Sequence, residues 1–72
     1  MWYFDTPIGR AIISRDNDQS DYCFSFNGHI GDYHRDPEVL ADNAFCHCVG
    51  VWEWDRQYEY DVPNTLDDWL RG

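Results

Sequence analysis

The chain has 72 residues, 43% of them hydrophobic and 18% aromatic, with 14 acidic residues against 5 basic ones and a net charge of −9. A balance so acidic, with no lysine at all, argues against direct nucleic-acid binding, which needs Lys and Arg to displace counterions from phosphates, and against docking on an anionic membrane surface. The aromatics run from Trp2 to Trp69, more than an acidic disordered tail carries, and no apolar run approaches the roughly 18–20 residues of a membrane span.

The expectation is one small acidic domain over residues 1–72. A domain of this size buries only about 60% of the surface its unfolded chain exposes. With four Ile, three Leu and four Val against thirteen aromatic residues, its packing must come largely from rings. Tyr22, Phe24, Phe26, Phe45, Trp52 and Trp54 are the expected core, and Trp2, Tyr33 and Trp69 the aromatics expected at the surface.

In chain order, residues 2–6 read as a short strand, interrupted by Pro7 and Gly9, and the β-branched stretch 10–15 as a second strand. Asp16-Asn17-Asp18-Gln19-Ser20 is a polar turn. Residues 21–26 alternate as a third strand, Asn27-Gly28 signals a tight hairpin, and His29-Ile30 starts a short return strand that Gly31 cuts off. Asp36-Pro37 opens a helix with a capping carboxylate and a proline at its first position. Leu40, Ala41, Ala44, Phe45 and Cys48 continue it as an apolar stripe over about 37–48, with Gly50 as the stop. Residues 51–61 alternate as a strand, with Trp52, Trp54, Tyr58, Tyr60 and Arg56 on one face and acids on the other. Thr65 and Asp68 suggest a capping box for a short last helix. The sum is an α+β domain: a small antiparallel sheet of three to five strands, one main helix packed on it and a short C-terminal helix.

The acidic face of stretch 51–61 carries the functional expectation. On a strand, alternate residues point the same way roughly 6.8 Å apart. Glu53, Asp55, Glu59 and Asp61 then form a row of carboxylates at a spacing comparable to neighbouring phosphates of a nucleic acid, extended by Asp16, Asp18 and Asp21. An amphipathic strand places charges in water anyway. That reading leaves the missing lysines unexplained, because surfaces kept for solubility mix both signs. Aligned like charges repel and cost stability, so a basic partner surface is the economical explanation.

Other chemistries are weaker. Cys23, Cys46 and Cys48 with His29, His34 and His47 supply enough donors for a zinc site, but no Cys-x-x-Cys pair exists, and on a helix Cys46 and Cys48 point about 200° apart. An odd number of cysteines fits reduced thiols better than a disulfide framework; with the spacing poor and free cysteines commonly buried, no metal and no cofactor are expected. A Cys46–His34–Asp42 nucleophilic set has no surrounding signature. The stretch from Asp16 lacks the glycine and glutamate of a calcium loop. No enzymatic activity is expected.

In size and charge the chain resembles phage-encoded DNA mimics of the anti-restriction and anti-CRISPR type. The resemblance is compositional. It implies a small inhibitor that blocks the basic nucleic-acid-binding surface of a CRISPR effector, restriction enzyme or similar protein. It makes no direct contact with nucleic acid or membrane, acts as a monomer or homodimer, and works in the host cytoplasm. The start Met1-Trp2-Tyr3-Phe4-Asp5, without the basic and long apolar regions of a signal peptide, agrees with that compartment. The alternatives are an immunity protein or antitoxin that neutralises a basic toxin, and a small zinc-binding domain.

Overall fold

A computed structural model describes residues 1–15, 21–56 and 62–72. Five strands, β1 (Trp2–Thr6), β2 (Gly9–Arg15), β3 (Tyr22–Phe26), β4 (His29–His34) and β5 (Leu70–Arg71), form one antiparallel sheet in the order β4-β3-β2-β1-β5. Helix α1 (Pro37–Phe45), a one-turn helix α2 (Trp52–Asp55) and a 3-10 turn (Leu66–Asp68) complete the fold. The architecture is the expected α+β sheet with a helix packed on it.

Local signals account for most of these elements. Asn27 and Gly28, with φ of 51° and 84°, make the left-handed turn between β3 and β4. The Asn27 side chain also donates to the Ile8 carbonyl at 2.9 Å, tying this hairpin tip to the β1–β2 turn. It fills the space where a Cβ on Gly9 would stand, so position 9 accepts only glycine without displacing it. Asp36 caps α1 by accepting from the Glu38 N–H at 3.0 Å, and Pro37 occupies the first turn.

The register sorts the sheet into two faces, because direct cross-strand partners point the same way. Trp2 and Phe4 share a face with Ile13 and Ala11, and these with Phe24 and Phe26. Ala11, Ile13, Phe24 and Phe26 are fully buried beneath α1, which contributes Leu40, Ala41 and Ala44. Trp54 completes this core. Its ring meets Phe24 and Phe26 edge-on at 5.2 and 5.1 Å between centroids, and its Nε1–H donates to the Ala44 carbonyl at 3.0 Å. The other face carries Tyr3, Asp5, Arg10, Ile12, Ser25 and Leu70. On it Asp5 and Arg10 stand directly opposite and form a forked ion pair, with Nε–Oδ1 at 2.6 Å.

Several expectations are corrected. Strand β4 continues through Gly31 to His34, with a register irregularity opposite β3. Gly31 does not end it; it lets the 49–51 loop cross closely. A Cβ there would strike the Val49 carbonyl oxygen, and that oxygen accepts from the Asp32 N–H at 2.7 Å. Helix α1 stops at Phe45, not 48, because His47 turns left-handed at φ 55°. Phe45 (47% exposed) and Cys48 therefore leave the expected stripe for the surface. Thr65 precedes the 3-10 turn without capping its backbone; its hydroxyl donates to the Asp68 carboxylate at 3.3 Å. Trp69, expected outside, is buried at 5%, and Tyr22 and Trp2 pack partly against the core.

The largest correction concerns 51–61. Residues 52–55 are helical, so Trp52 and Trp54 diverge: Trp54 is fully buried and Trp52 is 69% exposed. The strand face that was to align Glu53 and Asp55 does not exist. Glu59 and Asp61, with Tyr58 and Tyr60, lie outside the described residues, as do Asp16 and Asp18. Among the described residues no helix is long and apolar enough to cross a membrane.

Candidate partner-binding surface

Ten of the fourteen carboxylates belong to described residues. Eight of them (Asp32, Asp36, Glu38, Asp42, Glu53, Asp55, Asp67 and Asp68) sit on β4, on α1 and its cap, on α2 or on the 3-10 turn. The remaining two are Asp5, paired with Arg10 on the open sheet face, and Asp21, half-buried just ahead of β3.

Contacts and electrostatic influence bring several of these acids near one another. The Glu38 carboxylate accepts from the Leu66 N–H at 3.2 Å, which places it beside Asp67 and Asp68. One turn further along α1, Asp42 occupies the same exposed stripe as Glu38. Asp42, Asp32 and Asp55 all act on the thiol of Cys48: partial desolvation first, then Cys46 and these carboxylates push that thiol above its ordinary range. Asp32 approaches Gly50, whose N–H donates to Asp55. Glu53 completes the series on α2, with Oε1 at 3.4 Å from His29 Nε2. The C-terminal end of α1 adds to the same field. Its last turn holds no basic residue, so no cationic side chain of the helix itself offsets the negative end of the dipole.

Arg35, beside the α1 cap, and Arg56, at the end of α2, stand on this side with no ion pair to a carboxylate among the described residues. Among the described residues, Asp5–Arg10 is the only arginine–carboxylate pair. Arg56 lies over the Trp52 ring at 4.1 Å and Arg71 over Trp2 at 5.2 Å, so their charges rest on π faces.

The carboxylates differ in what they do for the fold. Asp55, named as a binding residue from the sequence, accepts from the N–H groups of both Val49 and Gly50 at 2.9 and 3.1 Å. It clamps the loop that crosses Gly31 and holds Trp54 over the core. Replacement by alanine leaves two donors without their charged acceptor and is expected to cost about 2–3 kcal/mol. Asparagine, which keeps one acceptor, should cost less; urea titration of the two variants measures the difference. Asp36 and Glu38 likewise serve backbone groups. No hydrogen bond or ion pair engages the side chains of Asp32, Asp42 and Asp67 among the described residues, and all three are exposed. Period-two reading of 51–61 passed over these three because they are scattered along the chain, on β4, α1 and the 3-10 turn.

Cys23 is buried, while Cys46 and Cys48 are exposed. His34 Nδ1 accepts from the Asp36 N–H at 2.9 Å. The His47 ring stacks on Trp54, with Nδ1 at 3.1 Å from the Trp54 carbonyl, which fixes Nδ1 as the protonated nitrogen. Among the described residues no three such side chains are grouped to hold a metal ion. The chain matches no protein-family model, no curated protein and no solved structure.

Proposed function

We propose that this protein is an acidic decoy: it occupies a cationic nucleic-acid-binding surface of a partner protein and keeps DNA or RNA from it, as anti-restriction and anti-CRISPR inhibitors do. The observation that carries the reading is the segregation of charge. Eight described carboxylates belong to the helical elements and the edge strand, while among the described residues the one arginine–carboxylate ion pair, Arg10–Asp5, lies on the open sheet face, and Arg56 and Arg71 lie over rings. Uncompensated like charge on one side of a domain is a standing cost to the fold. A positively charged partner offsets it on binding and is drawn in faster by it.

In this reading the decoy surface is built from α1, the 3-10 turn, α2 and the rim of β4. Glu53 belongs to it, while Asp55 supports it from behind. Asp32, Asp42 and Asp67 join the residues named from the sequence. The interaction is competitive and salt-sensitive, since exposed charges act mainly on the rate of encounter and are screened within about 10 Å at 0.1 M salt.

A displacement assay tests it. Labelled duplex DNA is bound to a panel of cationic DNA-binding proteins, including restriction enzymes and CRISPR effector complexes, and the protein is titrated in. DNA is expected to leave at least one member of the panel at about 50 mM salt, and the protein's own affinity for that member, measured without DNA, is expected to fall steeply between about 50 and 300 mM salt. Direct binding that is insensitive to salt, or displacement absent throughout the panel and for single-stranded RNA, sinks the proposal.

A further inference from the structure

The two most exposed large apolar side chains between residues 9 and 56 are Trp52 and Ile30, at 69% and 61%. They are 22 positions apart in the chain, yet both line one open cleft of about 280 Å³ between the start of β4 and α2, closed by His29, Gly50, Val51 and Glu53. Exposed apolar groups that converge on one concavity mark a binding site more than scattered ones do. The cleft is open to solvent and has room for one large side chain.

The charges around it select the occupant. Glu53 lines the cleft, and Asp32 stands beside Gly50 on its floor. Arg56 is held against one face of Trp52, which leaves the other face and the ring edge for contact. A second copy of this chain, at net −9, would bring carboxylates against carboxylates here. A cationic segment would not.

We propose that this cleft receives an apolar side chain of the partner, presented on a segment whose flanking residues are arginine or lysine. The inference rests on the decoy reading and adds to it: the acids draw the basic surface in, and Trp52 with Ile30 fixes where it stops. Trp is prominent among residues that dominate binding energy, and a ring already braced by a cation loses little freedom on binding.

Two model peptides test this on the full chain: one of four arginines around a central leucine, and the same peptide with glycine at the centre. Binding is followed by the NMR shifts of the Trp52 indole and the Ile30 methyl groups at about 20 and 300 mM salt. The leucine peptide is expected to bind about tenfold or more tighter than the glycine peptide. Trp52→Ala and, independently, Ile30→Ser should erase that difference while leaving the glycine peptide's affinity nearly unchanged. Equal, salt-dependent binding of both peptides to the unaltered protein would overturn the anchor cleft and leave the decoy reading standing. No binding of either peptide at low salt would remove both. Trp52 and Ile30 signals that move with protein concentration alone would assign the cleft to a second copy and overturn the proposal.

Discussion

Trp54→Ala is expected to lower the melting temperature by about 15–35 °C. Trp54 is the largest fully buried side chain of the described residues and joins three parts of the fold. Its ring sits edge-on to Phe24 and Phe26 of the sheet, stacks on His47, and reaches the Ala44 carbonyl at the end of α1. Truncating a buried tryptophan costs about 3–5 kcal/mol, against a total of about 4–11 kcal/mol for a domain of this length. In a domain this small each kcal/mol moves the midpoint by about 4–8 °C. Trp54→Phe keeps most of the ring and loses one hydrogen bond, so it should fall well short of the alanine variant. The Ala44 carbonyl keeps the N–H of His47 as a donor in either variant. Near-UV circular dichroism on heating reads both; a drop under about 5 °C for the alanine variant would contradict the central role given to Trp54.

The second large effect is on binding. Reversing Asp32, Asp42 and Asp67 together to lysine moves the net charge from −9 to about −3, since each reversal is worth two units. None of the three side chains holds a backbone group among the described residues, so the fold should survive with its melting temperature nearly unchanged. Removing the attractive field is expected to slow association with a cationic partner about 10²–10³-fold at low salt and to flatten the salt dependence. Asp55→Lys provides the contrast: it destabilises the domain by breaking the clamp on Val49 and Gly50, so its loss of binding tracks loss of structure. Full displacement of DNA by the folded triple variant would remove these acids from the binding surface.

Much of the architecture was written locally. Asp36-Pro37 and the Leu40, Ala41, Ala44 stripe announce α1. Asn27-Gly28 fixes a hairpin whose left-handed pair of residues few other dipeptides tolerate. Alternation in 22–26 names the residues that face the core, Phe24 and Phe26. The acidity of the surface follows from counting alone. These features depend on dihedral preferences and on side-chain period, both of which act over a few residues.

What the chain could not show by itself lies where distant segments meet. The alternation of rings and acids after Val51 has the period of a strand, yet one helical turn wins. It delivers Trp54 between two phenylalanines, and the burial of that ring outweighs a preference worth a few tenths of a kcal/mol per residue. Gly31 resembles a strand breaker and is instead the opening that a loop eighteen residues later requires. Asp32, Asp42 and Asp67 gain common meaning only when α1, β4 and the 3-10 turn pack side by side. Composition set how much charge the protein carries; long-range burial, which no local window contains, decided where that charge is placed.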